Sequence, residues 1–283
     1  MNDNGKKKVT IKDIAEACGV STATVSYVLN GREDQRISPE TWKRVMHEVH
    51  LMGYESSAVA KALATGNTHV VGLYAPNLGC APSRSHEDAV FVSQLAESLR
   101  GRGYQLQLIG ELCRHTTIKT LDATVTLDVD RETFRQIGFN CFYPLICVDG
   151  LVDDPFLFYQ VNNNFGRAAE FAGRHGSRAA LVFEPYAEQR LNERAGAGFD
   201  AAFAWPGGSS LEGFAAAQPE GTVFVAQGAL LAERLRRMTA AAVLSMCPQG
   251  DIEVNARLKA RTTADLVVDT ICGQPPSEHD VLI

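Results

Sequence analysis

Residues 9–31 read VTIKDIAEACGVSTATVSYVLNG, and the pattern of this stretch predicts how the N-terminal part of the chain folds. Apolar residues recur at helical spacing in two groups, 11–18 and 25–29. Gly19 interrupts the pattern, and Ser21 follows it as an N-cap for a second helix. Two short helices joined by a glycine turn form a helix-turn-helix.

The other face of the second helix consists of small and polar side chains: Thr22, Ala23, Thr24, Ser26 and Tyr27. An ordinary helical hairpin would explain the apolar face but not this one. A helix that lies in the major groove of DNA needs small side chains near its N-terminus and hydroxyls that donate to phosphates. The pattern therefore favours a DNA-reading helix over the hairpin.

A third helix begins at Ser38-Pro39-Glu40, where serine caps the helix and proline occupies its first turn. Its apolar face carries Trp42, Val45, Met46 and Val49. We expect it to close a three-helix core beneath the reading helix, with Trp42 in a packing role.

These motifs resemble the lactose-repressor (LacI/GalR) family of bacterial transcription factors. The resemblance is carried by VTIKDIA at 9–15, GVS at 19–21, ATVS at 23–26, VLNG at 28–31, Ile37-Ser38, Arg44-Val45 and Gly53-Tyr54. It implies that Thr22, Ala23 and Tyr27 read bases, and that the phosphate backbone is held by Ser21, Thr24, Ser26 and Asn30. Tyr27 stands where the family often has an arginine. Because tyrosine offers one hydroxyl and an apolar ring, the preferred operator should differ accordingly.

Residues 56–66 read SSAVAKALATG and can form about two helical turns, which is too short to be stable alone. The resemblance implies a hinge helix that folds on DNA, pairs with its copy and inserts Leu63 of the Ala60-x-x-Leu63 segment into the minor groove. Such a wedge bends the duplex. The alternative is that Leu63 anchors a flexible linker. Ser56 and Ser57 replace the usual proline and asparagine of the family.

Composition limits the remaining possibilities. The chain has 283 residues, enough for about two domains, and a formal net charge of −6. Residues 1–66 carry +1 and residues 67–283 carry −7, so a phosphate-binding surface is expected in the first part. Seven scattered cysteines contain no C-x-x-C pair, which disfavours disulfides and zinc. With no signal segment or membrane span in the sequence, we expect a cytoplasmic protein without membrane contact.

Past Gly66 short apolar runs alternate with helices, a pattern that predicts parallel sheets covered by helices. Strands are predicted near 70–75, 106–109, 123–129, 145–148, 179–183, 222–226 and 241–245, and helices near 91–99, 164–175, 188–204, 227–239 and 262–272. The resemblance implies a two-lobed α/β domain similar to periplasmic sugar-binding proteins. The predicted fold class is thus an all-α helix-turn-helix head plus hinge helix, followed by a periplasmic-binding-protein-like body.

The predicted domains are the helix-turn-helix at 1–55, the hinge at 56–66 and the effector-binding and dimerisation domain at 67–283. Within the last domain, the first lobe is predicted to combine 67–161 with 262–275. The second is predicted to combine 162–250 with 277–283. No Gly-x-Gly-x-x-Gly or phosphate loop appears in the sequence, which disfavours a nucleotide-binding enzyme.

The effector site is predicted less directly, because the family's polar anchors are shifted or absent. Arg194 lies four residues before Gly198 instead of three, Gln227-Gly228 replaces an Asn-Asp pair, and Gln249-Gly250-Asp251 retains only the second aspartate. The candidate effector residues are Arg194, Asp149, Phe91, Asp88, Gln227 and Asp251. For each of them a surface or packing role is an open alternative.

Together with these patterns, the resemblance implies a homodimeric transcriptional regulator, a repressor, that binds double-stranded operator DNA and responds to a sugar or related metabolite. The alternative is a regulator whose body only dimerises the head and senses no small molecule. An enzyme is disfavoured, since His175 and the cysteines show no partner spacing for nucleophilic or acid–base catalysis. No cofactor, catalytic residue or metal ligand is predicted.

Overall fold

A computed structural model describes residues 9–29, 37–52, 67–110, 121–140, 144–152, 158–206, 210–274 and 276–283. The chain divides into two compact units, Met1–Asn67 and Thr68–Ile283, named here the head and the body. Asn30 and the hinge at 56–66, with Ala60 and Leu63, lie outside the described residues. No helix within the described ranges is long and apolar enough to cross a membrane.

The head contains α1 (Ile11–Cys18), α2 (Thr22–Leu29) and α3 (Pro39–Leu51). Thr10 begins α1 with a reciprocal cap, in which its hydroxyl accepts from the Asp13 N–H and the Asp13 carboxylate accepts from the Thr10 N–H at 2.7 Å. Gly19 ends the helix at φ 61°, a left-handed conformation that favours glycine. The sequence thus defines both ends of α1 locally.

The three helices of the head enclose one small apolar core. Ile14, Cys18, Val25, Val28 and Val45 are buried together within it. They come from all three helices, so none of the helices has to be stable by itself.

The first lobe of the body is a six-stranded parallel sheet in the order β11-β5-β4-β3-β1-β2. Its strands are β1 (Val70–Tyr74), β2 (Gln105–Ile109), β3 (Ala123–Leu127), β4 (Leu145–Val148), β5 (Tyr159–Asn162) and β11 (Asp280–Leu282). Its helices are α4 (Ser85–Arg100), α5 (Arg131–Asn140) and α10 (Ala256–Ile271). The α4 and α10 helices pack against each other over the apolar core of this lobe.

The second lobe is a five-stranded parallel sheet in the order β10-β9-β8-β6-β7. Its strands are β6 (Arg178–Phe183), β7 (Ala201–Ala204), β8 (Thr222–Gln227), β9 (Val243–Cys247) and β10 (Ile252–Glu253). Its helices are α6 (Phe165–Ala172), α7 (Gln189–Gly196), α8 (Leu211–Ala216) and α9 (Ala229–Arg236). Separate apolar clusters lie on the two faces of this sheet.

The predicted fold class is confirmed for the head and for the two-lobed body. The assignment of 277–283 to the second lobe is wrong, because β11 pairs with β5 in the first sheet. A three-residue strand carries no signal for which sheet it joins. The helix predicted near 188–204 ends at Gly196 and is followed by β7, whose alanine-rich sequence does not distinguish strand from helix.

Candidate functional site

The first candidate site is the exposed side of α2. Thr22 and Ala23 are exposed at its first turn, and Tyr27 is half-buried one turn later. Val25 and Val28, on the opposite side, are buried in the head core. The apolar residues of α2 thus hold the helix in place and leave its N-terminal turn accessible to a partner.

The first turn of α2 is fixed by its own hydroxyl groups. The Ser21 Oγ accepts from the Thr24 N–H at 3.0 Å and lies 2.9 Å from the Thr24 hydroxyl. One of the two hydroxyls donates to the other, which leaves one hydroxyl hydrogen of this pair for an outside acceptor. Ser26 is half-buried on the same helix. The predicted phosphate-binding residue Asn30 lies outside the described residues.

The second candidate site lies between the lobes of the body. Buried polar residues follow the carboxyl ends of parallel strands: Asp128 after β3, Asp149 after β4, Asn163 after β5 and Glu184 after β6, while Gln227 ends β8. Asp128 and Asp149 both adopt φ 52°, which turns the chain sharply at the strand end. Ligands of open α/β sheets bind at this edge.

Lys259 of α10 lies at the centre of a buried ion cluster. Its Nζ donates to the Glu87 Oε1 at 2.8 Å and to the two Asp149 carboxylate oxygens at 3.0 and 3.1 Å. The Asn163 amide also donates to the Glu87 Oε1, at 2.8 Å. The Phe91 ring centroid lies 5.8 Å from Nζ. Lys259, Glu87, Asp149 and Asn163, together with Arg84, Asp88, Asp128, Glu184, Tyr186 and Gln227, are named the interlobe cluster.

The charges of this cluster depend on one another. Burial would raise the pKa of Glu87, but the Lys259 ammonium outweighs burial and lowers it. Burial dominates at Asp149 and raises its pKa, although Lys259 acts in the opposite direction. Burial would lower the pKa of Lys259, yet the two carboxylates raise it. The ammonium is therefore charged at neutral pH because its partners are close and desolvated.

Arg84 connects the lobes at the edge of the cluster. Its Nη2 donates to the Asp128 Oδ2 at 2.8 Å, and its guanidinium lies 4.1 Å from the centroid of the Tyr186 ring. A pocket of about 360 Å³ opens beside it. Both lobes line this pocket, with Asn77, Cys80, Ala81, Arg84 and Asp128 from the first and Glu184, Pro185, Tyr186, Ala187, Trp205 and Pro206 from the second.

Four buried polar atoms around the cluster have no hydrogen-bond partner within the described part of the chain: Ser83 Oγ, Arg84 Nε, Asn163 Oδ1 and Gln227 Oε1. Each such atom costs about 1–3 kcal/mol when it stays unpaired. The amide nitrogen of Gln227 is used, because it donates to the Tyr186 hydroxyl at 2.6 Å. Donors and acceptors are both among the four, as a ligand carrying hydroxyl groups would require.

Asp88 is a buried carboxyl of α4 in the same cluster. Its pKa is raised to about 7: burial is the largest cause and the charges of Asp149 and Glu87 add to it, while Arg84 and Lys259 act in the opposite direction. Near neutral pH this group is therefore divided between its protonated and ionised forms.

Three predicted effector residues have other roles in the structure. Phe91 is buried in the apolar core of the first lobe. The Arg194 Nη1 pairs with the Asp280 Oδ2 at 2.9 Å, which joins α7 to β11. The Asp251 carboxylate accepts from the Ser245 N–H at 2.8 Å and holds the turn after β9. None of the three lines the 360 Å³ pocket as the described residues define it.

Sequence reasoning missed Arg84, Glu87, Asp128, Glu184 and Lys259. A polar residue directly after a buried strand is a signal that would have indicated Asp128 and Glu184. Lys259 gives no such signal, because a lysine within a helix is usually exposed. No group of three or more His, Cys, Asp or Glu side chains that could hold a metal ion occurs in the described ranges.

Fold and sites together define a class: a helix-turn-helix head followed by a two-lobed, periplasmic-binding-protein-like body. Residues 10–57 match the family described as bacterial regulatory proteins, lacI family. The first part of the chain is therefore similar to this family.

Two curated relatives illustrate the match. The chain is 41% identical to the sucrose operon repressor of Klebsiella pneumoniae over 101 residues, which are 35% of this chain and 29% of that protein. It is 37% identical to the catabolite repressor/activator of Escherichia coli strain K12 over 155 residues, 50% of this chain and 45% of that protein. The match therefore spans less than half the length of either relative.

Solved structures share the fold at low sequence identity. A lac repressor dimer bound to operator and the anti-inducer ONPF aligns with TM-score 0.69 at 15% identity, over 98% of this chain and 96% of that one. The Cra transcriptional dual regulator of Pseudomonas putida in complex with fructose 1-phosphate aligns with TM-score 0.52 at 15% identity, over 76% and 95% of the two chains.

Proposed function

We propose that this chain is a sequence-specific DNA-binding transcriptional regulator, a repressor, whose operator affinity is modulated by a small-molecule effector in the body. The observation that carries the proposal is the exposed, polar first turn of α2 above a buried apolar core. As a homodimer, the protein would place two such helices in successive major grooves of a pseudo-palindromic operator.

In this proposal Thr22, Ala23 and Tyr27 contact base edges. Backbone phosphates are contacted by Ser21, Thr24, Ser26 and Asn30, and the hinge residues Ala60 and Leu63 enter the minor groove. The relatives named as a sucrose operon repressor and a catabolite repressor/activator support a regulatory role. Their names also support a sugar or related metabolite as the class of effector.

The charges between the lobes favour an uncharged effector. The cations Arg84 and Lys259 are already paired with carboxylates, and Glu184 adds another negative charge to the pocket wall. A phosphate group would meet these carboxylates without an uncommitted cation from the described cluster to balance it. We therefore expect a neutral sugar to bind in preference to a sugar phosphate.

The DNA-binding proposal is tested by selecting an operator from random duplexes and measuring affinity at several salt concentrations. Neutralisation of phosphates requires a steep loss of affinity as salt rises. A Tyr27→Arg variant should shift the preference at one position of each half-site towards guanine, since arginine binds the O6 and N7 atoms of guanine. Absence of both a selected sequence and a salt slope would refute the proposal.

The hinge is tested with Leu63→Ala. We expect lower operator affinity and less DNA bending, measured by gel-shift phasing, at unchanged thermal stability of the body. Unchanged bending would refute the insertion of Leu63 into the minor groove. The proposed base contacts of α2 would not be affected by that result.

The effector is tested by thermal shift with neutral sugars, sugar phosphates and nucleobases. A ligand at 100 times its Kd stabilises the folded state by about 2.7 kcal/mol. If no compound shifts the body transition, the second candidate function is favoured, in which the body only dimerises the head. The observation behind that alternative is that Lys259 and Arg84 already have partners within the chain.

A further inference from the structure

One segment of the second lobe reaches across to the first. It comprises residues 184–188, which follow β6 and are named the clasp. The Glu184 Oε2 accepts from the Ser83 N–H at 2.8 Å, and the Glu188 Oε2 accepts from the Arg131 N–H at 2.8 Å. Both carboxylates belong to the second lobe and both donors to the first.

One donor lies at the start of a helix and the other directly before one. Ser83 directly precedes the Arg84 N-cap of α4, and Arg131 is the first residue of α5. The first N–H groups of a helix have no acceptor within the helix, and the positive end of its dipole favours a carboxylate. The Glu188 carboxylate therefore caps an N–H at the start of α5, and the Glu184 carboxylate accepts from an N–H in the turn directly before α4.

The middle of the clasp adds further contacts between the lobes. The Ala187 N–H donates to the Asp128 Oδ1 at 2.8 Å, the Arg84 Nη2 lies 3.4 Å from the Pro185 carbonyl oxygen, and the Tyr186 ring lies under the Arg84 guanidinium. Glu184, Tyr186 and Glu188 are all buried. Because water is largely excluded, these bonds count for more than equivalent surface pairs.

Gly228, at the start of α9 in the second lobe, shows how closely the lobes meet. It adopts φ 87°, and a Cβ atom built on it would lie 2.0 Å from the Ser83 carbonyl oxygen. Any larger residue here would push the lobes apart at the point where Glu184 accepts from the Ser83 N–H.

We propose that the clasp closes the body without an effector. The chain itself supplies the contacts that bridge the lobes, so a small molecule would enter a body that is already closed and would bind in the pocket beside Arg84. The inference concerns the body and stands whether or not the head binds an operator.

The test is hydrogen exchange at residue resolution on the full-length protein, with neither DNA nor small molecule added. The amides of Ser83, Arg131 and Ala187 should exchange at least about 100-fold more slowly than in an unstructured peptide, because each donates to a carboxylate of the opposite lobe. Exchange of all three at unprotected rates would overturn the proposal.

Gly228→Ala tests the contact between the lobes by introducing a collision with Ser83. Its control is Gly103→Ala, at φ 85° with nothing within 4 Å of the added Cβ, which introduces similar backbone strain without a collision between lobes. We expect Gly228→Ala to abolish protection at Ser83 and Gly103→Ala to preserve it. Equal protection of the Ser83 amide in the two variants would contradict the proposal that the clasp closes the body.

A second pair of variants covers the case in which Gly228→Ala does not fold. Glu184→Ala should accelerate exchange at Ser83, and Glu188→Ala should do so at Arg131. Glu193→Ala, an exposed residue of α7, should change neither amide. If exchange at both amides stays slow in the first two variants, the carboxylates do not hold the lobes together and the proposal fails.

Discussion

The head and the body of this protein build their candidate sites in different ways. The exposed face of α2 occupies about two helical turns, and its cap, Ser21, lies three residues before Thr24, whose N–H donates to it. The interlobe cluster joins residues far apart in the chain, as in the Lys259–Glu87 pair, whose members are 172 positions apart. A site formed by residues close in the sequence can be recognised from their spacing. A site whose residues are brought together by the topology can be recognised only once the fold is known.

The two regions also differ in what stabilises them. The buried side chains of the head core are apolar, while the body buries charges that depend on their partners. Loss of an apolar group leaves a cavity, but loss of one member of an ion cluster leaves uncompensated charge. Truncation of an apolar side chain in the head and removal of a charge in the body should therefore change the free energy of unfolding by different amounts and with different pH dependence.

The largest effect is expected from Lys259→Met. Glu87 and Asp149 would then remain buried without their cation, and the free energy of unfolding of the body should fall by about 3–5 kcal/mol in chemical denaturation. Arg257→Ala, an exposed change on the same helix, is the control. Combining Lys259→Met with Glu87→Gln and Asp149→Asn should recover much of the loss, and a failure to recover would mean that packing rather than charge is responsible.

Next in size is Ile14→Ala in the head. Ile14 is fully buried, so its truncation should cost about 2–4 kcal/mol and unfold a small domain at moderate temperature. We expect operator binding to be lost while the thermal transition of the body is unchanged. Glu16→Ala on the exposed side of α1 is the control. A shift of the body transition by Ile14→Ala would show that the two units do not unfold independently.

A pH-dependent effect is expected from Asp88. Burial raises its pKa to about 7 in the folded state, so the folded protein binds this proton more tightly than the unfolded chain and loses stability as pH rises from about 4 to 7. Asp88→Asn should therefore raise the free energy of unfolding at pH 8 by about 1–3 kcal/mol, with the gain vanishing towards pH 4. A gain independent of pH would assign the effect to packing instead.

The smallest effect concerns Ser21, which caps α2 and is also a proposed phosphate contact. Ser21→Ala should lower the stability of the head by about 1 kcal/mol, because the Thr24 N–H loses its cap. Ser21→Asp keeps a capping oxygen but places a negative charge near the DNA backbone, so it should preserve stability and weaken operator binding. If both variants bind the operator as tightly as the unmodified protein, Ser21 makes no phosphate contact.

The sequence predicted the parts whose signals are local. The end of α1 and the start of α2 follow from Gly19 and Ser21, and most strands of the body follow from short apolar runs. The interlobe cluster was predicted only in part: Asp149, Asp88 and Gln227 lie in it, while Asp251 and Arg194 form ion pairs elsewhere. Lys259 could not be predicted, because its partners come together only when α10 packs on α4.

The chain order of the first lobe has a consequence for synthesis on the ribosome. The second lobe is contiguous from α6 to β10, whereas the first lobe needs α10 and β11, which are translated after it. During elongation the second lobe can fold while the first still lacks its packing helix and an edge strand. Glu87 and Asp149 then stay hydrated until Lys259 emerges, so completion of the first lobe and burial of its charges become a single late event.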